Sequence, residues 1–225
     1  TVDPRPLGAA ALRTAKNLGV DVHSGVAVRK LIIADGRVAG VQTDRTAYHA
    51  SEFVNCCGAW ASELNGAQIP TRPVKGQMLD VIPPRRTLLK HVVHSPDVYV
   101  VPRSDGRIVI GATVEEAGFD KRVQPETLQR LHQAAANLIP ELGEARIHEA
   151  WAGLRPGSPD DLPILGMTSL PGYYAATGHY RNGILLAPIT ANSIADLIQG
   201  RRPAVDLSAF APQRFSTVEE LKRSG

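Results

Sequence analysis

Tyr173-Tyr174-Ala175-Ala176-Thr177, then Gly178-His179-Tyr180-Arg181-Asn182, then Gly183-Ile184-Leu185-Leu186-Ala187-Pro188 make up the stretch whose reading decides the fold. It runs from an apolar strand, through a polar turn, into a long apolar helix. Carried on to Gln199, that helix holds Ile184, Leu185, Leu186, Ile189, Ile194, Leu197 and Ile198, apolar on most sides, so it is expected to be buried against a sheet. Glycines on both sides of the turn let backbone approach a ligand closely. Unpaired N–H groups at the helix start aim partial positive charge outward, which makes the turn a candidate anion or oxyanion site. The plain alternative is a connection between two elements.

Working outward, Leu7, Ala11, Leu12, Ala15 and Leu18 fall at helical spacing behind Asp3-Pro4, with Gly19 as a stop. Val20 to Val22, Val26 to Ile33 and Val38 to Thr43 read as strands, with Asp35-Gly36 as a tight hairpin between the last two. Glu52 to Cys56 is a further strand that runs into a short helix ending near Leu64. From Pro70 onward, prolines punctuate strand-like runs at Met78 to Ile82, Leu88 to His94 and Val98 to Val101, the texture of an antiparallel sheet with irregular edges. Ser104-Asp105-Gly106 marks a second hairpin, and Pro125 to Ile139 a helix with Leu128, Leu131, Ala135 and Leu138 on one face. Next come a strand from Ala145 to Leu154, a polar loop from Arg155 to Asp161, and a strand pair at Ile164-Leu165 and Tyr173 to Ala176.

The fold class is therefore α/β in the outer segments plus α+β in a mixed, mainly antiparallel insertion. The expected limits are 1–67 and 151–203 for the outer domain, 68–150 for the insertion and 204–225 for a mobile tail. The outer segments supply few strands for a parallel sheet, so that domain is either small or completed from elsewhere.

Composition excludes several classes. With 43% hydrophobic and 21% charged residues in 225, the chain can bury a core, and no apolar run approaches the ~18 residues that span a bilayer. Its 25 basic residues lie dispersed among 22 acidic ones with only 5% aromatics, which argues against nucleic acid as a partner. Cys56 and Cys57 are adjacent, so they cannot staple distant segments. They read as two small buried residues at a strand end, in a reducing, cytoplasmic setting.

Arg155, in Trp151-Ala152-Gly153-Leu154-Arg155-Pro156, stands where a strand ends, and a guanidinium held there suits a carboxylate. The competing reading is a solvated arginine, or one paired with Asp160 or Asp161. Tyr99 could reach a ligand from its strand, although lone strand tyrosines usually pack half-buried. His91 and His94 would point to opposite faces of a strand, so no metal site is assigned. No nucleophile elbow and no Gly-x-x-x-x-Gly-Lys loop occurs.

Six ordered blocks carry a family resemblance. They are Val2-Asp3-Pro4; Val54-Asn55-Cys56-Cys57-Gly58-Ala59-Trp60; Pro73-Val74-Lys75-Gly76-Gln77-Met78; Tyr99-Val100-Val101-Pro102-Arg103 with Ile110-Gly111-Ala112-Thr113; Trp151 to Pro156; and Gly178 to Pro188. In this order the chain resembles the D-amino-acid oxidase superfamily, and its last two blocks resemble the thiamine-pathway glycine oxidase branch. The resemblance implies a glutathione-reductase-like FAD-binding domain with an inserted substrate-binding sheet. In such enzymes a Gly-x-Gly-x-x-Gly loop near the N-terminus holds the pyrophosphate. This chain has none, so a missing segment or partner chain would have to carry it.

The same resemblance implies that Arg155 and Arg181 hold the carboxylate of a small amino-acid substrate and that Tyr99 closes over it. Val28 would touch the adenosine part of FAD. His179, Tyr180, Arg181, Asn182, Gly183, Ile184 and Leu185 would form the turn beneath the isoalloxazine. The implied reaction is hydride loss from Cα to FAD, with dioxygen as acceptor and hydrogen peroxide and an imine or 2-oxo acid as products, possible feedstock for thiazole synthesis. It needs no assigned catalytic base, no metal and no membrane, and the intact form is expected to be a homo-oligomer. A fragment inactive without its partner segment, and a dehydrogenase of the same superfamily, are the alternatives. Cys56-Cys57 departs from the family's small alanines, and Asp97 from a histidine found in some relatives.

Overall fold

The computed structural model describes residues 2–64 and 69–215. In chain order its elements are α1 (Pro4–Asn17), β1 (Val28–Ala34), β2 (Arg37–Thr43), β3 (Ala47–His49), β4 (Phe53–Asn55), a 3-10 turn (Gly58–Glu63), β5 (Arg72–Ile82), β6 (Val93–His94), β7 (Tyr99–Pro102) and β8 (Ile108–Gly111). They continue with α2 (Pro125–Leu138), a 3-10 turn (Pro140–Glu144), β9 (Arg146–Gly157), β10 (Ile164–Met167), β11 (Tyr173–Thr177), α3 (Gly183–Ile198) and two further 3-10 turns at Ser208–Phe210 and Pro212–Phe215. The chain forms two compact units, Thr1–Arg72 with Pro156–Gly225, and Pro73–Arg155. The sequence reading set the inner limits at 68 and 150.

In the first unit the Asp3 carboxylate accepts the Arg5 N–H at 3.1 Å, and Pro4 at the first helical position wastes no donor. These two residues start α1. Asp35 at φ 50° and Gly36 at φ 73° supply the two positive-φ residues that a tight hairpin of this kind requires, and β1, β2 and β3 form an antiparallel sheet in that order. The strand expected at Val20 to Val22 does not form; that short run has no strand partner among the described residues. A second sheet has the order β10-β11-β4, antiparallel at β10–β11 and parallel at β11–β4. Its core joins Leu31, Val38, Ala61, Leu64, Ile69, Ile164, Tyr173 and Ala175. Asn55 is buried beside it, donating to the Tyr173 hydroxyl at 2.8 Å and accepting the Cys57 N–H at 2.9 Å. Burial pushes the Tyr173 phenol up to about 12.

Three expectations for this unit need correction. The apolar helix α3 forms, but only Thr190, Ser193 and Ile194 are buried, while Leu185 is 78% and Ile184 50% exposed. Its pattern asks for a covering surface that the described chain does not supply. Cys56 and Cys57 are exposed, because it is Asn55 before them that faces the core. The segment from 204 to 215 is not a mobile tail. Arg214 pairs with Asp160, holding that carboxyl down at about 2, and Gln213 donates to the Met167 carbonyl at 2.8 Å. Residues 216–225 lie outside the described residues.

The second unit is a five-stranded sheet of order β6-β7-β8-β5-β9. Strand side chains alternate between faces. Leu79, Val81, Val98, Val100, Ile108 and Ile110 therefore share one face and pack with Leu131 and Ala135 of α2 and with Leu142 and Ala145. Gly76, Met78 and Asp80 occupy the other face of β5. Only Val93–His94 of the expected Leu88 to His94 strand pairs, whereas β5 starts six residues earlier than Met78, at Arg72. No described helix is long and apolar enough to cross a membrane.

Asp80 is 1% exposed and fully engaged. It is ion-paired to Arg107 and accepts from the Glu149 N–H at 3.0 Å, with His148 Nδ1 at 2.9 Å. Removing a buried carboxylate leaves those donors without their acceptor, so Asp80→Ala is expected to cost about 2–4 kcal/mol of unfolding free energy in urea. A loss below about 0.5 kcal/mol would show that the cluster is incidental.

Candidate functional site

The sheet face opposite α2 carries the first group of candidate residues. Tyr99 opens β7 opposite Gly111 of β8, and Gly111 in turn stands opposite Met78 of β5. The Tyr99 hydroxyl donates to Met78 Sδ at 3.2 Å. A Cβ on Gly111 would lie 2.6 Å from that hydroxyl and 2.7 Å from Cζ, so the ring can lie across the strand only because residue 111 has no side chain. On its other flank, His94, the β6 partner of Tyr99, stacks on it with ring centroids 6.2 Å apart and planes 23° from parallel. Tyr99 is thus half-buried and fixed from two sides.

Arg155 lies in β9, not in the polar loop expected from its neighbours. Gly153 and Pro156 did not end the strand, because β9 runs alongside β5 through Gly157. The Arg155 Nη1 donates to the main-chain carbonyls of Thr113 at 3.1 Å and Lys75 at 3.3 Å. Its guanidinium is laid over Gly76. Gly76 and Met78 are two residues apart on one strand, which puts the Arg155 guanidinium and the Tyr99 ring on the same face of the same sheet. The carboxylates considered as partners for Arg155 have others, Asp160 with Arg214 and Asp161 with Arg72 at 3.2 Å.

The second group belongs to the other unit. Gly178 at φ 74° and Tyr180 at φ 49° turn the chain sharply between β11 and α3. The Tyr180 N–H donates to the Pro156 carbonyl at 3.0 Å and the Asn182 N–H to the His179 carbonyl at 2.9 Å. His179 reaches Thr190 Oγ1 at 2.9 Å through Nε2, and burial pushes its pKa down. Arg181 is exposed, with its guanidinium 5.5 Å from the Tyr180 ring centroid. Asn182 caps α3 without a side-chain hydrogen bond, so the first-turn donors of Gly183, Ile184 and Leu185 are not covered by a capping side chain. An uncapped helix start preceded by a left-handed glycine suits the electron-rich part of a cofactor, and in that sense these residues fit the flavin expected here. Val28 is exposed at the start of β1, in a different sheet from this turn.

Two other features of these units stand apart. A cavity of about 500 Å³, lined by Leu165, Met167, Leu197, Val205, Leu207 and Pro212, lies by the last turn of α3, the opposite end from the turn. Among the described residues, Asp80, His148 and Glu149 form the one cluster with metal-ligand geometry, but Arg107 already neutralises Asp80. The sequence reading missed Met78, His94, Gly76 and Gly111 as neighbours of the site. Only the cross-strand register reveals them; the Ser104–Gly106 hairpin signal was the one clue to that register.

Comparison with known proteins gives a consistent result. A family model described as FAD dependent oxidoreductase matches residues 1–197. The bifunctional protein ThiO/ThiG of Synechocystis sp. is 42% identical over 220 residues, 96% of this chain and 33% of that protein. A glycine oxidase of Pseudomonas aeruginosa is 39% identical over 207 residues, 90% of this chain and 56% of the relative. The crystal structure of glycine oxidase from Geobacillus kaustophilus superposes with a TM-score of 0.87 at 34% identity, covering 92% of this chain and 57% of that one. The chain thus spans between a third and just over half the length of these relatives.

The turn yields a pH prediction. A histidine whose folded pKa lies below its unfolded value of about 6.5 adds stability above that value and loses it as pH falls toward the folded pKa. Stability to urea should therefore fall on acidification below about pH 6.5, and His179→Gln should reduce that slope. An unchanged slope in the variant would show that His179 titrates as it does in the unfolded chain.

Proposed function

This chain belongs to the family of FAD-dependent oxidoreductases, and from that membership we propose that it supplies the substrate-binding sheet and the later part of the cofactor-binding domain of a glycine-oxidase-type enzyme. The substrate class is glycine or another small amino acid. The amine is oxidised to an imine, which hydrolyses to a 2-oxo acid or enters thiazole formation, and dioxygen is reduced to hydrogen peroxide. The observation that carries this reading is the Arg155 guanidinium, held by two main-chain carbonyls on the sheet face it shares with Tyr99.

Each residue then has a defined task. Arg155 binds the carboxylate through charge-assisted hydrogen bonds, and because its guanidinium is fixed in advance, binding costs little further side-chain entropy. Tyr99, clamped between His94 and Met78, presents a rigid aromatic wall over the bound substrate. Arg181 takes the role of second carboxylate-binding group that the resemblance gave it. The start of α3 would present the Gly183, Ile184 and Leu185 N–H groups to the electron-rich part of a bound flavin, and burial of His179 beside it disfavours the charged imidazolium. FAD, when bound, supplies the two-electron acceptor that side chains lack. No side chain is assigned as a base; orientation of the amino acid is what these residues contribute.

A second reading, that this segment needs further polypeptide to hold FAD, is favoured by one specific observation. Leu185 and Ile184 on α3, Leu7 and Leu12 on α1 with Leu18 just after it, and Val54 on the edge strand β4 are all exposed. We propose that the segment carrying the glycine-rich loop covers these surfaces. The visible spectrum of the purified 225-residue chain tests this second reading: a bound flavin band would contradict the need for further polypeptide.

In the FAD-loaded enzyme, Arg155→Ala is expected to raise KM for glycine about 100-fold, with a smaller change in kcat. An unchanged KM would remove Arg155 from the substrate site.

A further inference from the structure

We propose that Gly76 is a positioning residue for the carboxylate-binding guanidinium: its missing side chain sets how deep Arg155 lies on the sheet, and hence where a substrate carboxylate is held. The inference rests on the assignment of Arg155 as carboxylate-binding group and extends it to a residue with no ligand-binding chemistry of its own.

The geometry is specific. A Cβ built on Gly76 would stand 2.6 Å from Arg155 Cζ, with both terminal nitrogens nearer still. Real side-chain carbons do not approach that closely, so the guanidinium occupies the space of the side chain that Gly76 lacks. At that depth Nη1 reaches the carbonyls of Lys75 and Thr113. Gly76 has no left-handed φ to explain the glycine, since it lies within β5 and is absent from the positive-φ residues. A strand interior is where glycine weakens the fold and where it commonly marks a close approach. Here the approaching group is Arg155.

The clash would be with the far end of a long side chain, not with backbone. Gly76→Ala can therefore be accommodated by lifting the guanidinium off the sheet, which costs the fold little. The site would lose more. A lifted guanidinium is out of reach of the two carbonyls that orient it, and a misplacement of about 1 Å in a positioning group can lower catalytic efficiency about 100-fold. Gly143, in the same unit, does not share this property: a Cβ there would meet only Ala136 Cβ at 3.7 Å, an ordinary contact.

The test uses the FAD-loaded full-length enzyme and glycolate, a carboxylate without the amine, titrated against the flavin absorption spectrum. Gly76→Ala should weaken glycolate binding about 10- to 100-fold and raise KM for glycine similarly, with the melting temperature nearly unchanged, whereas Gly143→Ala should bind as the parent does. The same alanine placed in an Arg155→Lys background should change glycolate affinity less than about two-fold, because the group it displaces is gone. An equal loss in both backgrounds would show that the methyl acts on the strand and not through Arg155, and would overturn the proposal. So would parental affinity in Gly76→Ala. If Gly76→Ala fails to fold, the double variant must still fold for the proposal to stand. Should Arg155→Ala bind glycolate as the parent does, the underlying carboxylate assignment fails. If instead Arg155→Ala loses binding and Gly76→Ala keeps it, only the seat is wrong.

Discussion

The Arg155 guanidinium is held against main-chain carbonyls over Gly76 of β5, a position with no side chain, and the proposed substrate role depends on that contact. Arg155 lies flat because residue 76 is glycine, and it faces a fixed direction because the Lys75 and Thr113 carbonyls accept from one of its nitrogens. The same strand contributes Met78 to the Tyr99 hydroxyl two residues on, and Gly111 lets the phenol ring cross β8. One face of a five-stranded sheet thereby carries a guanidinium beside an aromatic ring, while α2 and the apolar core pack on the other face.

The first unit is organised on a different principle. Its chemistry lies in backbone: two left-handed residues, Gly178 and Tyr180, and a helix that begins without a capping side chain. In the proposed cofactor role, this turn offers the backbone N–H groups at the start of α3, beside the exposed Arg181. Its flanks are only partly satisfied within the described chain. The exposed Ile184 and Leu185 of α3 and the open edge at β4 are the surfaces that the proposed further segment would cover, and this chain spans 33% of the ThiO/ThiG relative and 56% of the glycine oxidase.

Much of the fold could be read from sequence because its signals are local. The two hairpins were legible from Asp35-Gly36 and Ser104-Asp105-Gly106, where turn geometry demands those residue types, and α2 from the spacing of Leu131 and Ala135. Features set by distant residues were not. The order of the 204–215 segment depends on Arg214 reaching back to Asp160, and the extension of β9 through Arg155 depends on its neighbour β5. Burial of α3 was expected from composition, but composition cannot tell which chain supplies the cover. For the site, residue chemistry alone left Arg155 between a carboxylate clamp and a surface ion pair; the family resemblance favoured the clamp. The seats at Gly76 and Gly111 and the His94 stack follow from cross-strand register, which no local pattern records.

The most direct measurement is a crystal structure of the FAD-loaded, full-length enzyme with glycolate bound. If Arg155 is the carboxylate-binding group, a carboxylate lies about 3 Å from its guanidinium, with Nη1 still on the Lys75 and Thr113 carbonyls and no movement off Gly76. A carboxylate bound elsewhere, or an Arg155 side chain turned away from β5 to meet it, would rule that assignment out.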